Sequence, residues 1–431
     1  MLLLLTLQTV SATTVMGNSK EWQDLYLSAM YAHTNGYDFV FIESLGDADI
    51  QSQLLEKDEP IIIIESSKKP VIKNYESFLS VGGFTNLTVI TAEDYRDLQL
   101  KLFGDADSYF ILDPTFGMEA VAAAPLILKR SAAPLFLDAQ SKEDVKARAS
   151  DDSFVIGHFP LRIVAGIPGE RLAGYPTDNA LDLALLATRE TKSSWGVIAR
   201  ADRFDPASLA GKKPIFLIVD DTSAVAEKVK ESGITRFEVI GADMADIAKS
   251  IEAESGKDLH LLLKYGQTIT NLPGLEGKIL TVRQVSVPYP TVGLELKEAV
   301  FYPETSSLVV TFRNPGTLET KFFSNLELGE LVFSDEHIHT ALPGETVAIP
   351  YHVAESAETV TLTTRFGLEQ PLNRVLRKKD SPTLSVPVST GQATNTSIEV
   401  GRVTYDGAKG ELRIALSGQG VVDAELLVSD D

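Results

Sequence analysis

Hydrophobic positions along the chain follow two rhythms, and the change falls near Pro288-Tyr289-Pro290. Before it, short apolar runs alternate with segments of helical spacing. The clearest stretch begins at Tyr109. Tyr109–Leu112 reads as a buried strand, Asp113 and Pro114 as an N-cap and first helical residue, and Met118, Val121, Ala122, Leu126 and Ile127 recur at helical spacing. Ala133-Pro134 breaks that pattern and Leu135–Leu137 opens a second strand, so the stretch predicts a βαβ unit in a parallel sheet. Pro125 falls inside the helix and predicts a bend or a new helical turn.

The same alternation recurs on both sides. In residues 19–90, Trp22, Leu25, Tyr26 and Met30 share one helix face, and Asn35-Gly36 ends that helix. Tyr37–Ile42, Pro60–Glu65 and Leu87–Ile90 read as strands, with helical segments at Ile50–Leu55 and from Tyr75 to Leu79. Residues 91–170 form a second copy that ends in the strand Ser153–Ile156. Residues 171–290 form a third, with Asp178 capping a helix, strands at Trp195–Ala199, Pro214–Val219 and Arg236–Ile240, and a helix at Ser223–Ser232. Strands opened by proline at Pro60, Pro134 and Pro214 lie 134 − 60 = 74 and 214 − 134 = 80 residues apart. Three α/β units with a period of about 75 residues follow.

Beyond Pro290 the period becomes two. Leu294, Leu296, Leu308, Val310 and Phe312 alternate with polar residues, and Asn314-Pro315-Gly316, Pro343-Gly344 and Phe366-Gly367 mark turns. This predicts an all-β, immunoglobulin-like sandwich over 291–388. The segment from Leu294 aligns with that from Ile398, at 398 − 294 = 104, so residues 396–431 read as an incomplete second sandwich. Two or three strands cannot protect their own edges, and a longer protein is expected.

Composition narrows the class. The chain has 431 residues, 44% of them hydrophobic, which suffices for several packed cores. Its formal charge is 39 − 60 = −21, spread along the whole length. Such a surface repels nucleic acid and favours solubility or divalent cations. With no cysteine, disulfides, thiolate metal sites and a cysteine nucleophile are excluded. Residues 1–18 begin with an apolar run followed by Val10-Ser11-Ala12, read as a signal peptide and leader. No other run is long enough to span a membrane.

Signatures of nucleotide, hydrolase or zinc chemistry are absent: there is no GxGxxG, GxxxxGK[ST], GxSxG or HExxH. The sequence GDAD occurs twice, placing Asp47 with Asp49 and Asp105 with Asp107, pairs that could contribute to calcium sites. His337 and His339 share a strand face, with His352 on a neighbour, a geometry compatible with a metal; His33 and His158 read as capping or surface residues. Asp113, Glu119, Asp138, Asp202, Asp205 and Asp220 fall near strand ends, where parallel α/β sheets bind ligands. Asn86 and Asn395 open N-glycosylation sequons. Arg374, Arg377, Lys378 and Lys379 form one basic cluster, read as a charged edge strand that resists pairing.

The run from Leu112 through Glu119-Ala120-Val121-Ala122-Ala123-Ala124-Pro125-Leu126 to Ala133-Pro134-Leu135 resembles the core of the cell-wall-binding repeat type 2 modules. Those modules occur in threes in bacterial cell-wall proteins and also in archaeal surface-layer proteins. The resemblance implies an exported, structural cell-envelope protein without catalytic residues. It would assemble as a homo-oligomer or lattice, or hold an envelope polymer, with no cofactor other than calcium. The alternative is an extracellular receptor or enzyme whose site lies at the strand ends of the α/β units.

Overall fold

A computed structural model describes residues 13–219, 222–269, 276–277, 279–328, 331–334, 337–353, 359–367, 379–380, 384–391, 397–406 and 411–419. The first twelve residues, Asp220, Arg374, Arg377, Lys378 and Asn395 lie outside the described residues. The chain divides into two units, Met1–Tyr289 and Pro290–Asp431.

The first strand, β1 (Thr14–Asn18), is buried along its whole length and lies inside a parallel sheet. The first α/β unit therefore starts within the stretch assigned to the leader. Gly17 and Asn18 break the apolar run that would have marked β1 as a strand. The chain continues as α1 (Trp22–Thr34), β2 (Asp38–Phe41), α2 (Leu45–Gln53), β3 (Ile61–Ser66), α3 (Tyr75–Val81) and β4 (Leu87–Ala92). These strands stand in the order β2-β1-β3-β4, all parallel.

Helix α4 (Tyr95–Phe103) leads into β5 (Tyr109–Leu112), α5 (Gly117–Arg130), β6 (Ala133–Phe136), α6 (Lys142–Arg148), β7 (Phe154–Ile156), α7 (Leu161–Val164) and β8 (Glu170–Leu172). The second parallel sheet has the order β6-β5-β7-β8. Helix α8 (Pro176–Thr191) then carries the chain into β9 (Trp195–Arg200), β10 (Arg203–Phe204), α9 (Pro206–Leu209), β11 (Ile215–Ile218), α10 (Thr222–Ser232), β12 (Arg236–Ile240), α11 (Ala245–Ser255) and β13 (His260–Lys264). The third sheet, β11-β9-β12-β13, is again parallel.

All three sheets share one topology: second strand, first, third, fourth. The repeat is real, but its register differs from the proline alignment. Pro134 lies within β6 and Pro214 just before β11, both second strands, whereas Pro60 precedes β3, a third strand. A proline marks where a buried strand begins and says nothing of its rank in the sheet. Matched by rank, β1 and β5 are 109 − 14 = 95 residues apart, as are β2 and β6 at 133 − 38 = 95. In both units the second strand therefore starts 24 residues after the first (38 − 14 and 133 − 109). In the third unit the crossover shrinks, and its helix α9 spans four residues.

The crossover helices α1, α5 and α9 pack on one another, and one apolar cluster runs through all three units. Tyr26 of α1 sits at this junction with no exposed surface. Its ring centroid lies 5.9 Å from that of Phe136 and 6.3 Å from that of Phe204, and its hydroxyl donates to the Ala120 carbonyl at 2.7 Å. Helix α5 starts at Gly117, not at Pro114. Asp113 accepts from the Thr115 amide at 2.8 Å in a turn, and Phe116 is the extended N-cap. The helix continues through Pro125 to Arg130 as one element. At α8, Pro176 is the first residue and Tyr175 the N-cap, displacing Asp178 into the first turn.

After β13 the chain forms the hairpin β14 (Gly266–Ile269) and β15 (Ile279–Thr281), then β16 (Val285–Ser286). Residues 282–288 act as a strap over the three units. Arg283 pairs with Asp47 at the start of α2 and lies 4.3 Å over the Phe41 ring. Val285 and Ser286 pair with β10. Val287 packs against Gly117, where a Cβ would come within 2.6 Å of the valine, and the Gly117 amide donates to the Pro288 carbonyl at 3.1 Å.

The second unit contains β17 (Glu295–Tyr302), β18 (Ser307–Arg313), β19 (Thr320–Leu328), β20 (Leu331–Ser334), β21 (His339–Ala341), β22 (Thr346–His352), β23 (Thr359–Gly367), β24 (Lys379–Asp380) and β25 (Leu384–Thr390). Pairing is antiparallel apart from one ladder. Strand β25 runs antiparallel to β23 through Leu384–Pro387 and parallel to β17 through Val388–Thr390. Leu308, Val310 and Phe312 share a buried cluster with Phe322 and Leu326, with the Phe312 and Phe322 rings 5.0 Å apart. A further hairpin joins β26 (Ser397–Asp406) to β27 (Glu411–Gln419). Its turn is flanked by Asp406 and Glu411, and that of β17–β18 by Tyr302 and Ser307, so both flanks are offset by 104 (406 − 302 and 411 − 307). Each hairpin also carries a register shift in its first strand.

Candidate functional site

In a parallel sheet of this strand order, the crevice that can hold a ligand opens at the carboxyl ends of the first and third strands, where the order reverses. At the first such point, between β1 and β3, Asn18 is fully buried. Its side-chain amide donates to Glu65 at 3.1 Å and to the Ile72 carbonyl at 2.8 Å, and its oxygen accepts from the Ile72 amide at 3.0 Å. Beside it Ser19 donates at 2.7 Å to one oxygen of Asp24, in the first turn of α1; the other oxygen is buried without a hydrogen-bond partner among the described residues. Burial pushes the Asp24 carboxyl up to about 6, against the hydrogen bond from Ser19.

The second reversal, between β5 and β7, brings Asp113 and Glu119 together. Glu119 has no exposed surface. One of its oxygens accepts from the Asn179 side-chain amide at 2.5 Å and the other has no partner among the described residues. Burial, opposed by Asn179 and reinforced by the neighbouring Asp113, pushes the carboxyl up to about 8. Burial also raises Asp113, partly offset by its bonds to Thr115 and by His158. Gly157 (φ +145°) closes on this point: a Cβ there would lie 2.7 Å from that of Asp113. His158 is exposed and stacks on Tyr175 at 5.4 Å.

The third reversal, between β9 and β12, is closed by ion pairs. Asp202 lies 3.1 Å from Arg200 and 3.5 Å from Arg203, and Arg203 also reaches Asp243. Asp205, buried, caps α9 through the Ala207 amide at 3.0 Å and pairs with Lys264 at 2.7 Å.

The candidates read from the sequence thus separate into several environments. Asp138 accepts from Tyr95 at 2.6 Å, from Arg96 and from the amides of Gln140 and Ser141. Burial alone would raise it, but these bonds outweigh that and hold it far below the usual carboxylate range. Of the GDAD pairs, Asp47 is committed to Arg283 and to the Glu43 amide at 2.9 Å. Asp49 accepts from Gln53 at 3.1 Å on the exposed face of α2, beside a cavity of about 450 Å³ lined also by Phe78, Val81 and Phe84. Asp105 and Asp107 are exposed in the turn after α4, so the two pairs occupy unlike positions. His339, on β21, has its ring centroid 5.6 Å from that of Phe322 on β19, while His352 lies on β22. Among the described residues no three acidic or histidine side chains are grouped as metal ligands. His33 is half-buried rather than a surface residue and contacts the Pro206 carbonyl at 2.9 Å. Asn86 is exposed immediately before β4. Lys379 lies in the two-residue strand β24, antiparallel to β23.

Sequence reading missed Asp24, Asn179 and Arg283. A signal existed for Asp24, because 119 − 24 = 95 repeats the spacing of the strands and helices of the first two units. Using it required the correct strand ranks.

No family model matches the chain, and no curated protein matches it. Among solved structures it aligns with a β-glucosidase from Streptomyces venezuelae at 10% identity over 49% of this chain and 35% of that one, with a TM-score of 0.14. An engineered protein aligns at 11% identity over 88% of this chain and 94% of that one, with a TM-score of 0.15. β-Glucosidase 3B from Thermotoga neapolitana aligns at 10% identity over 72% and 56%, at 0.14. The chain thus spans about a third of the length of the first of these (35%). Similarity at this level carries no argument about fold or activity.

Proposed function

We propose that the chain is a structural component of a cell envelope, exported to the cell surface, where it assembles into a surface layer or anchors to an envelope polymer through non-covalent contacts. The observation that carries this reading is the threefold repetition of one sheet topology, its crossover helices packed on one another and strapped by residues 282–288. Three units that bury one another's helices use their interior for cohesion and leave their outer faces for contact. The resemblance of 112–135 to modules that occur in threes points the same way. At the third strand-end point the carboxylates are engaged by cations of the chain itself, and at the first Glu65 accepts from the Asn18 amide. The β-rich region is read here as immunoglobulin-like modules in tandem, supported by the hairpin repeated at an offset of 104. In this reading Asn86 carries glycan, and calcium bridges acidic faces of neighbouring copies.

A second reading, a receptor or enzyme, is favoured by one observation, the Asp113 and Glu119 carboxyls at the second reversal point. The two readings part in one experiment. The purified chain is followed by light scattering and negative-stain microscopy with calcium and with chelator, and then mixed with purified envelope polymer. Ordered oligomers or polymer binding are expected; a monodisperse monomer that ignores both would overturn the envelope reading.

A further inference from the structure

Helix α8 is the segment that carries the chain from the second α/β unit to the third, and it packs along α5. Among the described residues two polar contacts join them: Arg130 of α5 pairs with Glu190 at the far end of α8, and at the near end, buried, Asn179 of α8 donates to Glu119 of α5, and donates also to the Gly174 carbonyl at 3.0 Å while accepting from the Gly174 amide at 2.9 Å. We propose that the burial of Glu119 between these two helices is a proton-held catch: the helices stay closed on it while its side chain is a neutral acid and loosen when it ionises, because the desolvated charge outweighs the stronger bond Asn179 then makes.

The geometry makes the protonation state matter. Asn179 satisfies one carboxyl oxygen; the other is sealed from water with no hydrogen-bond partner among the described residues. A neutral carboxyl tolerates such a place far better than a carboxylate, whose charge would be left without a donor in an apolar interior. Among the described residues, the charged group that acts on it is an acid. The turn after β5 brings Asp113, whose own charge would repel it, and the loop after β7 brings His158, which acts on Asp113. Helix α1 contributes the uncharged Tyr26 and Gln23, and the strap contributes Val287 and Pro288.

The other two units serve as internal comparisons. Asp24 holds the same position in α1, at 119 − 24 = 95, and is equally half-satisfied. In the third unit the buried carboxylate at the helix start, Asp205, has Lys264 as partner and needs no proton. Asp24 and Glu119 are thus each the third residue of their crossover helix, with Asp24 bonded to Ser19 of its own unit and Glu119 to Asn179, whereas Asp205 is the N-cap of α9 and is held by an ion pair. Burial sets Glu119 at about 8, above the ordinary glutamate value, so the catch is fully closed below the unfolded value of 4.5 and weakens as pH rises towards 8.

Hydrogen exchange of the full chain, read peptide by peptide between pH 6 and 9 and corrected for intrinsic rates, tests the proposal. Protection of Pro176–Thr191 should fall by roughly tenfold per pH unit until Glu119 has ionised, with α10 as the internal reference. In Glu119→Gln the fall should vanish. In Asp113→Asn, which removes the like charge, its midpoint should move to lower pH. An unchanged fall in Glu119→Gln, or no fall in the wild type, would overturn the catch. Should Glu119→Gln fail to fold, an unmoved midpoint in Asp113→Asn would overturn it as well.

Discussion

Tyr26 shows how one side chain serves three units at once. Its ring meets Phe136 of the second unit and Phe204 of the third, and its hydroxyl satisfies a carbonyl in the first turn of α5. Removing only the hydroxyl, in Tyr26→Phe, leaves that contact unmade at a cost of about 1–2 kcal/mol. Tyr26→Ala opens a cavity among the three units and should cost about 3–5 kcal/mol. Thermal unfolding checks both: the alanine variant should melt well below the phenylalanine variant, and equal melting temperatures would place the junction elsewhere. Arg283 acts at the same scale. Its side chain is 12% exposed and its partner Asp47 17%, which sets the pair apart from a surface ion pair. Arg283→Ala leaves Asp47 short of a cation and strips the guanidinium from Phe41, a loss of about 3 kcal/mol.

Among the elements, the strap is the one whose role exceeds its length. Two residues of β16 pair with β10, yet the surrounding segment reaches all three units. Its closeness to Gly117 leaves no room for a side chain, so Gly117→Val should displace Val287 and cost about 1–3 kcal/mol. Released strap residues would then become accessible to limited proteolysis near Pro288; an unchanged digestion pattern would contradict the clasp. The sequence made the βαβ stretch from Tyr109 legible because its apolar runs are long and bounded by proline. It left β1 hidden, since TVMGN is short and ends in residues that usually mark turns. The strap was not legible as a clasp, because its partners Asp47, Gly117 and Arg203 are remote in sequence. The same remoteness hid the pairing of Glu119 with Asn179, while the strand-end placement of Glu119 itself followed from the pattern.

At the scale of the molecule, two units with separate apolar clusters are joined at Tyr289-Pro290. A chain of residues 13–289 should fold by itself and reproduce one thermal transition of the full protein; its failure to fold would contradict the division. The charge of −21 then governs how copies approach one another. Acidic faces repel at low ionic strength, and assembly should require salt or divalent cations to screen or bridge them. A structural role at the cell surface is checked by protease treatment of intact source cells, with released peptides identified by mass spectrometry beside a soluble cell extract. Peptides from this chain, including a glycan-bearing one spanning Asn86, should come off the intact cells. Recovery of the chain in the soluble extract alone, with Asn86 bare, would contradict it.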